Sequence, residues 1–104
     1  MNINGVEFEF KLSNISHARK FQKAVDEMAE DEKKIKKMKN AKLEEVLGAL
    51  KDMFTKFFIT ATGTDVIGAC ENIDEMANMY NEFLEEIKKQ KEKVLSPFST
   101  DRIR

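Results

Sequence analysis

Leu43-Glu44-Glu45-Val46-Leu47-Gly48-Ala49-Leu50-Lys51-Asp52-Met53-Phe54-Thr55-Lys56-Phe57-Phe58 is the stretch on which the fold turns. Its apolar residues are Leu43, Val46, Leu47, Leu50, Met53, Phe54, Phe57 and Phe58, at intervals that an α-helix gathers onto one side and a strand scatters over two. At ~100° per residue they form a stripe roughly 140° wide. The spacing predicts a helix over 42–59 with one broad buried side. Gly48 stands near the opposite side from that stripe, where glycine costs about 1 kcal/mol relative to alanine. No local reason for it is evident, which leaves close approach by another backbone as a reason to have it.

Toward the C-terminus, Thr60-Ala61-Thr62-Gly63-Thr64-Asp65 interrupts the pattern. Gly63 reads as the left-handed residue that closes a helix, and Thr64 or Asp65 as the next cap. A loop is expected over 60–71, with no more than a turn at Val66 to Ala69. Asn72 then opens the clearest helix, because Glu75 follows at the spacing of a capping box. Its apolar stripe is Ile73, Met76, Ala77, Tyr80, Phe83, Leu84, Ile87 and Val94, and Pro97 is expected to end it. The helix is therefore placed over 73–95, with a polar, mobile tail over 96–104.

Toward the N-terminus there is neither Gly nor Pro between residues 15 and 47. One long bent helix from Ile15 to Phe58 and two helices, 15–39 and 42–59, both satisfy the pattern; two are favoured, with the break at Asn40. Phe21, Val25, Met28, Glu32 and Ile35 form a 3.5-residue seam with one carboxylate intruding. Asn14 or Ser16 supplies the cap. Residues 1–12 read as a hairpin: Asn4-Gly5 suits a type I′ turn, and strict alternation follows it. That register sets Ile3 opposite Val6, Asn2 opposite Glu7 and Met1 opposite Phe8, with Phe10 and Leu12 extending beyond. An isolated two-stranded ribbon is marginal in water, so its apolar side must lie on helices or its long strand must pair with another chain. The expected fold is mainly α with a small N-terminal β-hairpin (α+β), two or three amphipathic helices packed as an antiparallel bundle, in one domain over 1–95.

Composition narrows the function by exclusion. Eighteen Lys plus Arg against 19 Asp plus Glu leave a formal charge of -1, so no global field steers the chain onto nucleic acid or an anionic membrane. One Cys and one His exclude an intramolecular disulfide and a Cys/His zinc site. No stretch reaches the ~18 apolar residues of a membrane span and no basic leader precedes one, so a soluble protein of a reducing cytoplasm is expected.

Chemistry is equally sparse. His17 lies in a first helical turn, far in sequence from Cys70, and reads as a partly exposed terminal histidine. Cys70 reads as a small buried hydrophobe. Gly63 to Gly68 has the glycine spacing of a phosphate loop, but Ala69-Cys70 stands where Lys-Ser/Thr is required. Lys33, Lys34, Lys36, Lys37, Lys39 and Lys42 form a basic run without interleaved Arg or aromatics and directly after five acids, so it reads as a charged helix end and not a nucleic-acid patch. Catalytic, cofactor-binding and metal-binding residues are expected to be absent, and the chain is not expected to be an enzyme.

The candidates for partner binding are apolar. Met38, Met53 and Met79 lie at or beyond the edges of the stripes, and flexible thioethers on a rim suit a surface that repacks around different partners. Phe8 and Phe10 lie on the long strand. These two, with the Phe21, Val25, Met28, Ile35 seam, pack either within one chain or across a homo-oligomer interface.

Two segments together resemble a known group. Met1-Asn2-Ile3-Asn4-Gly5-Val6-Glu7-Phe8-Glu9-Phe10 is similar to the opening of small proteins encoded in the tail-assembly region of phages and prophages of Gram-positive bacteria. Phe57-Phe58, Gly63-Thr64, Ile67-Gly68, Cys70, Asn72 and Tyr80-Asn81-Glu82-Phe83 resemble the later motifs of that group, whose members are described as similar to tail assembly chaperones. The resemblance implies a non-catalytic phage protein that binds a protein partner, the tape-measure or another tail protein, in the cytoplasm of the bacterial host. Two other readings are a small phage-encoded inhibitor of a host defence or regulatory protein, and a structural component retained in the virion.

Overall fold

A computed structural model describes residues 1–101 of the chain, with side chains as far as Ser96. Strands β1 (Asn2–Ile3) and β2 (Val6–Glu7) are followed by helices α1 (Ile15–Lys36), α2 (Leu43–Thr62) and α3 (Ile73–Asp101). The molecule is mainly helical, with a small N-terminal hairpin and helices packed against one another.

The hairpin has the register that its turn dictates. Asn4 and Gly5 both take positive φ, 56° and 74°, as a type I′ turn requires. Asn2 pairs with Glu7 and Ile3 with Val6. Met1 and Phe8 then exchange two hydrogen bonds of 3.0 Å.

Two helices, not one, occupy residues 15–62. Asn14 caps α1, its side-chain oxygen accepting from the N–H groups of Ser16 and His17. The helix stops at Lys36, three residues before the expected boundary at 39, where the Lys37 N–H donates to the Lys34 carbonyl at 3.2 Å and the Met38 N–H to the Ile35 carbonyl at 3.0 Å. No apolar side chain of the seam lies beyond Met38, so further turns would bury nothing. In contrast, α2 runs three residues past its expected end at 59. Ala61 continues the buried stripe, and both threonine hydroxyls find partners: Thr62 Oγ1 donates to the Phe58 carbonyl within the helix at 2.7 Å and Thr60 Oγ1 to Glu27 of α1 at 3.2 Å. Gly63, at φ 77°, ends it as expected.

The third helix starts where Asn72 Oδ1 accepts from the Glu75 N–H at 2.9 Å. Pro97 does not end it: α3 continues to Asp101. A proline removes one i→i−4 bond and crowds one carbonyl, which disturbs a helix without forbidding its φ. The tail expected over 96–104 is therefore helical as far as Asp101, and 102–104 lie outside the described residues.

Contacts along the helices define their senses. Asp31 meets Lys56 at 3.2 Å and Glu27 meets Thr60, so α1 and α2 are antiparallel. Phe54 packs on Tyr80 and Phe58 on Phe83, so α3 advances in the sense of α2. Phe21 of α1 also meets Phe83. The 63–72 connection must carry the chain back along α2, which is why it is long.

That connection is part of the core. Val66 and Ile67 are fully buried, where the sequence predicts only a loop with a turn. Asn4 Nδ2 donates to the Val66 carbonyl at 2.9 Å, and Asp65 Oδ1 accepts from the Gly68 N–H at 2.9 Å. The turn of the hairpin thus pins the connection. At the centre stands Phe83, whose ring contacts those of Phe8, Phe10, Phe21, Phe57 and Phe58 at centroid distances of 5.3–6.1 Å. Val94, expected on the buried stripe of α3, is exposed, because the helix has by then outrun the elements it packs on.

Candidate functional site

Phe8, Phe10, Met53 and Met79 are all buried, so as the chain is folded they present no surface to a partner. Phe8 and Phe10 turn inward because the apolar side of the hairpin lies over Phe83. Met53 and Met79 were expected at stripe edges; they are core residues. An edge residue is buried when neighbours cover a helix from two directions, and α2 meets α1 on one side and α3 on the other. Met38 alone among the five remains partly exposed.

Met38 stands at the connected end of the α1–α2 hairpin, in the segment that joins the two helices. There the half-buried Ile35, resting on the buried Met53, forms a ridge with a shallow hollow on each side. One hollow, about 280 Å³, adds Met38 and Ala49 to its floor and is bounded by Asp31, Lys34, Asp52 and Lys56. The other, about 260 Å³, adds Leu50 and is bounded by Glu32 and Lys36. Across the first, Lys56 Nζ bridges to Asp31 at 3.2 Å. An apolar floor between charged walls suits the apolar side of a helical segment.

The polar candidates are engaged in holding the fold. His17 Nδ1 accepts from the Lys11 N–H at 2.9 Å, and its ring lies 5.6 Å from that of Phe10. Cys70 is half-buried, not sealed in an apolar core; its Sγ lies 3.5 Å from Glu75 Oε2 and 3.6 Å from the Asn72 carbonyl. The Glu75 carboxylate thus accepts from the Cys70 thiol, while the Glu75 N–H donates to the Asn72 side chain. Among the described residues no group of three His, Cys, Asp or Glu side chains is placed to hold a metal ion. No described helix is long and apolar enough to cross a membrane. Between Gly63 and Gly68 lies the buried Val66-Ile67 plug.

Tyr80 is a titratable group moved from its ordinary range. Partial burial among Phe54 and Phe57 raises its pKa above 10.0, and the carboxylate of Glu32 adds to the rise.

Gln90 has a role that sequence reasoning missed. Its side-chain amide accepts from the Leu12 N–H at 2.7 Å and donates to the Phe10 carbonyl at 3.2 Å, so it pairs with the extended chain as a neighbouring strand would. The signal was present: Phe83, Ile87, Gln90 and Val94 are spaced four, three, four, and a polar amide on an apolar stripe implies a buried polar partner.

A family model described as a family of unknown function (DUF6673) matches residues 4–102. No curated protein and no solved structure matches the chain.

Proposed function

We propose, for a chain that belongs to the DUF6673 family, a non-catalytic role in which it binds another protein during phage tail assembly, as a chaperone-like or accessory factor. The observation that carries the binding role is the charge-walled apolar ridge of the half-buried Ile35 and Met38, laid over the buried Met53 at the connected end of α1 and α2. A shallow apolar floor with ions on both walls accepts an amphipathic helix through i, i+3 and i+4 anchors. The phage-tail setting rests on the resemblance of Met1 to Phe10 and of Phe57 to Phe83 to proteins of that region. In that setting the partner is a long helical protein such as the tape measure, bound in the host cytoplasm.

Co-expression with the neighbouring tape-measure protein is expected to yield a co-purifying complex, and Met38→Glu is expected to weaken it at least tenfold while leaving the circular dichroism spectrum unchanged, about 1.4 kcal/mol of binding free energy. Complete absence of association, with the tape-measure protein soluble by itself, overturns the reading.

A further inference from the structure

One side of α2 faces solvent with apolar residues. Leu43 is 73% and Leu47 41% exposed. With Gly48, Lys51 and Ile73 they line an open hollow of about 500 Å³, with Glu44 and Glu71 at its border. At ~100° per residue, Glu44, Leu47, Gly48 and Lys51 fall within one sector about 100° wide. A Cβ placed on Gly48 would meet nothing within 4 Å, so no contact inside the chain requires glycine there. Helical geometry disfavours it by about 1 kcal/mol relative to alanine.

We propose that this side of α2 pairs with the same side of a second copy of the chain, the two helices antiparallel about a two-fold axis between Leu47 and Gly48. The charge pattern carries the choice of occupant. A two-fold axis at that point sets Glu44 opposite the second copy's Lys51, and Lys51 opposite the second copy's Glu44, so each attraction is made twice. It also sets Leu47 on the second copy's Gly48, whose missing side chain lets the axes approach more closely than the ~8–10 Å of ordinary helix pairs. A parallel pairing would instead place Glu44 against Glu44. Neither Glu44 nor Lys51 has an ion-pair partner among the described residues. The patch is small beside the ~800 Å² per partner of a standard interface, so the dimer dissociates on dilution. The inference is independent of the tail-assembly role, since it concerns a different side of the bundle.

Sedimentation equilibrium of the full chain over a wide concentration series tests it. The expected result is a reversible monomer–dimer equilibrium that Leu47→Glu abolishes. Glu44→Lys and Lys51→Glu should each weaken it about tenfold, or about 1.4 kcal/mol. The double substitution E44K/K51E should restore it, because both cross-pairs are re-formed with their signs exchanged. Gly48→Ala should raise the thermal stability of the dilute monomer and weaken the dimer. All these positions are at the surface, and circular dichroism verifies that each variant is folded. A chain that stays monomeric at every concentration overturns the proposal, as does a dimer indifferent to Leu47→Glu. A double substitution no better than the singles overturns the antiparallel register.

Discussion

Phe83 is the residue on which the most of the core converges. Five other phenylalanine rings touch it and it is fully buried, so Phe83→Ala leaves a cavity that side chains from three segments, the chain after β2, α1 and α2, would have to move to fill. A loss of about 3–5 kcal/mol is expected in denaturant titration, against a smaller one for the half-buried Phe21→Ala. Tyr80 offers a spectroscopic test, being the only tyrosine of a chain without tryptophan. Its ultraviolet titration midpoint should lie above 10.0, and Glu32→Gln should lower it only in part, since burial is the larger cause. The folded pKa exceeds the unfolded one, so the associated stability is complete below the unfolded pKa and is lost as pH rises through the folded value. Thermal melts across the alkaline range should show that decline.

At the scale of elements, the short hairpin is held by what packs on it. Two strands of two residues each cannot stand alone. Its apolar side lies on Phe83, its turn is tied to the 63–72 connection through Asn4, and its extension is paired by Gln90. Replacing Gln90 by Ala strands a partly buried N–H and a carbonyl, at a cost of about 1–3 kcal/mol. Amide hydrogen exchange at Leu12 should accelerate accordingly. The Asn4-Gly5 turn and its register were legible because period-two alternation and a type I′ pair specify them locally. Gln90 was not, because nothing local says which backbone a lone amide on a helix will meet. The end of α2 was misplaced for a related reason: Thr60 and Thr62 are poor helix formers until tertiary and i−4 hydrogen bonds satisfy their hydroxyls.

Over the whole molecule, charge is segregated but contributes little to cohesion. The ion pairs among the described residues, Glu30 with Lys33, Asp31 with Lys56 and Glu86 with Lys89, all lie at the surface. Raising the salt concentration should therefore change the unfolding free energy by less than about 1 kcal/mol, measured by denaturant titration at low and high ionic strength. The opposed blocks matter more for what the surface can meet: a charge-walled apolar ridge at one end of the α1–α2 pair, and a self-complementary face on α2.

The sequence by itself determined that residues 15–95 are mainly helical, the hairpin turn with its register, and the caps at Gly63 and Asn72, because each depends on residues within a turn or two of one another. Tertiary structure alone decided which apolar residues are available to a partner. Phe8, Phe10, Met53 and Met79 look like rim or edge residues when each element is taken singly, and are buried because their elements are covered from more than one side. Val66 and Ile67 look like a loop and plug the core, because α3 runs in the sense of α2 and the chain must return along it. Periodicity reports how wide an apolar side is, and only packing reports how much of it is left uncovered.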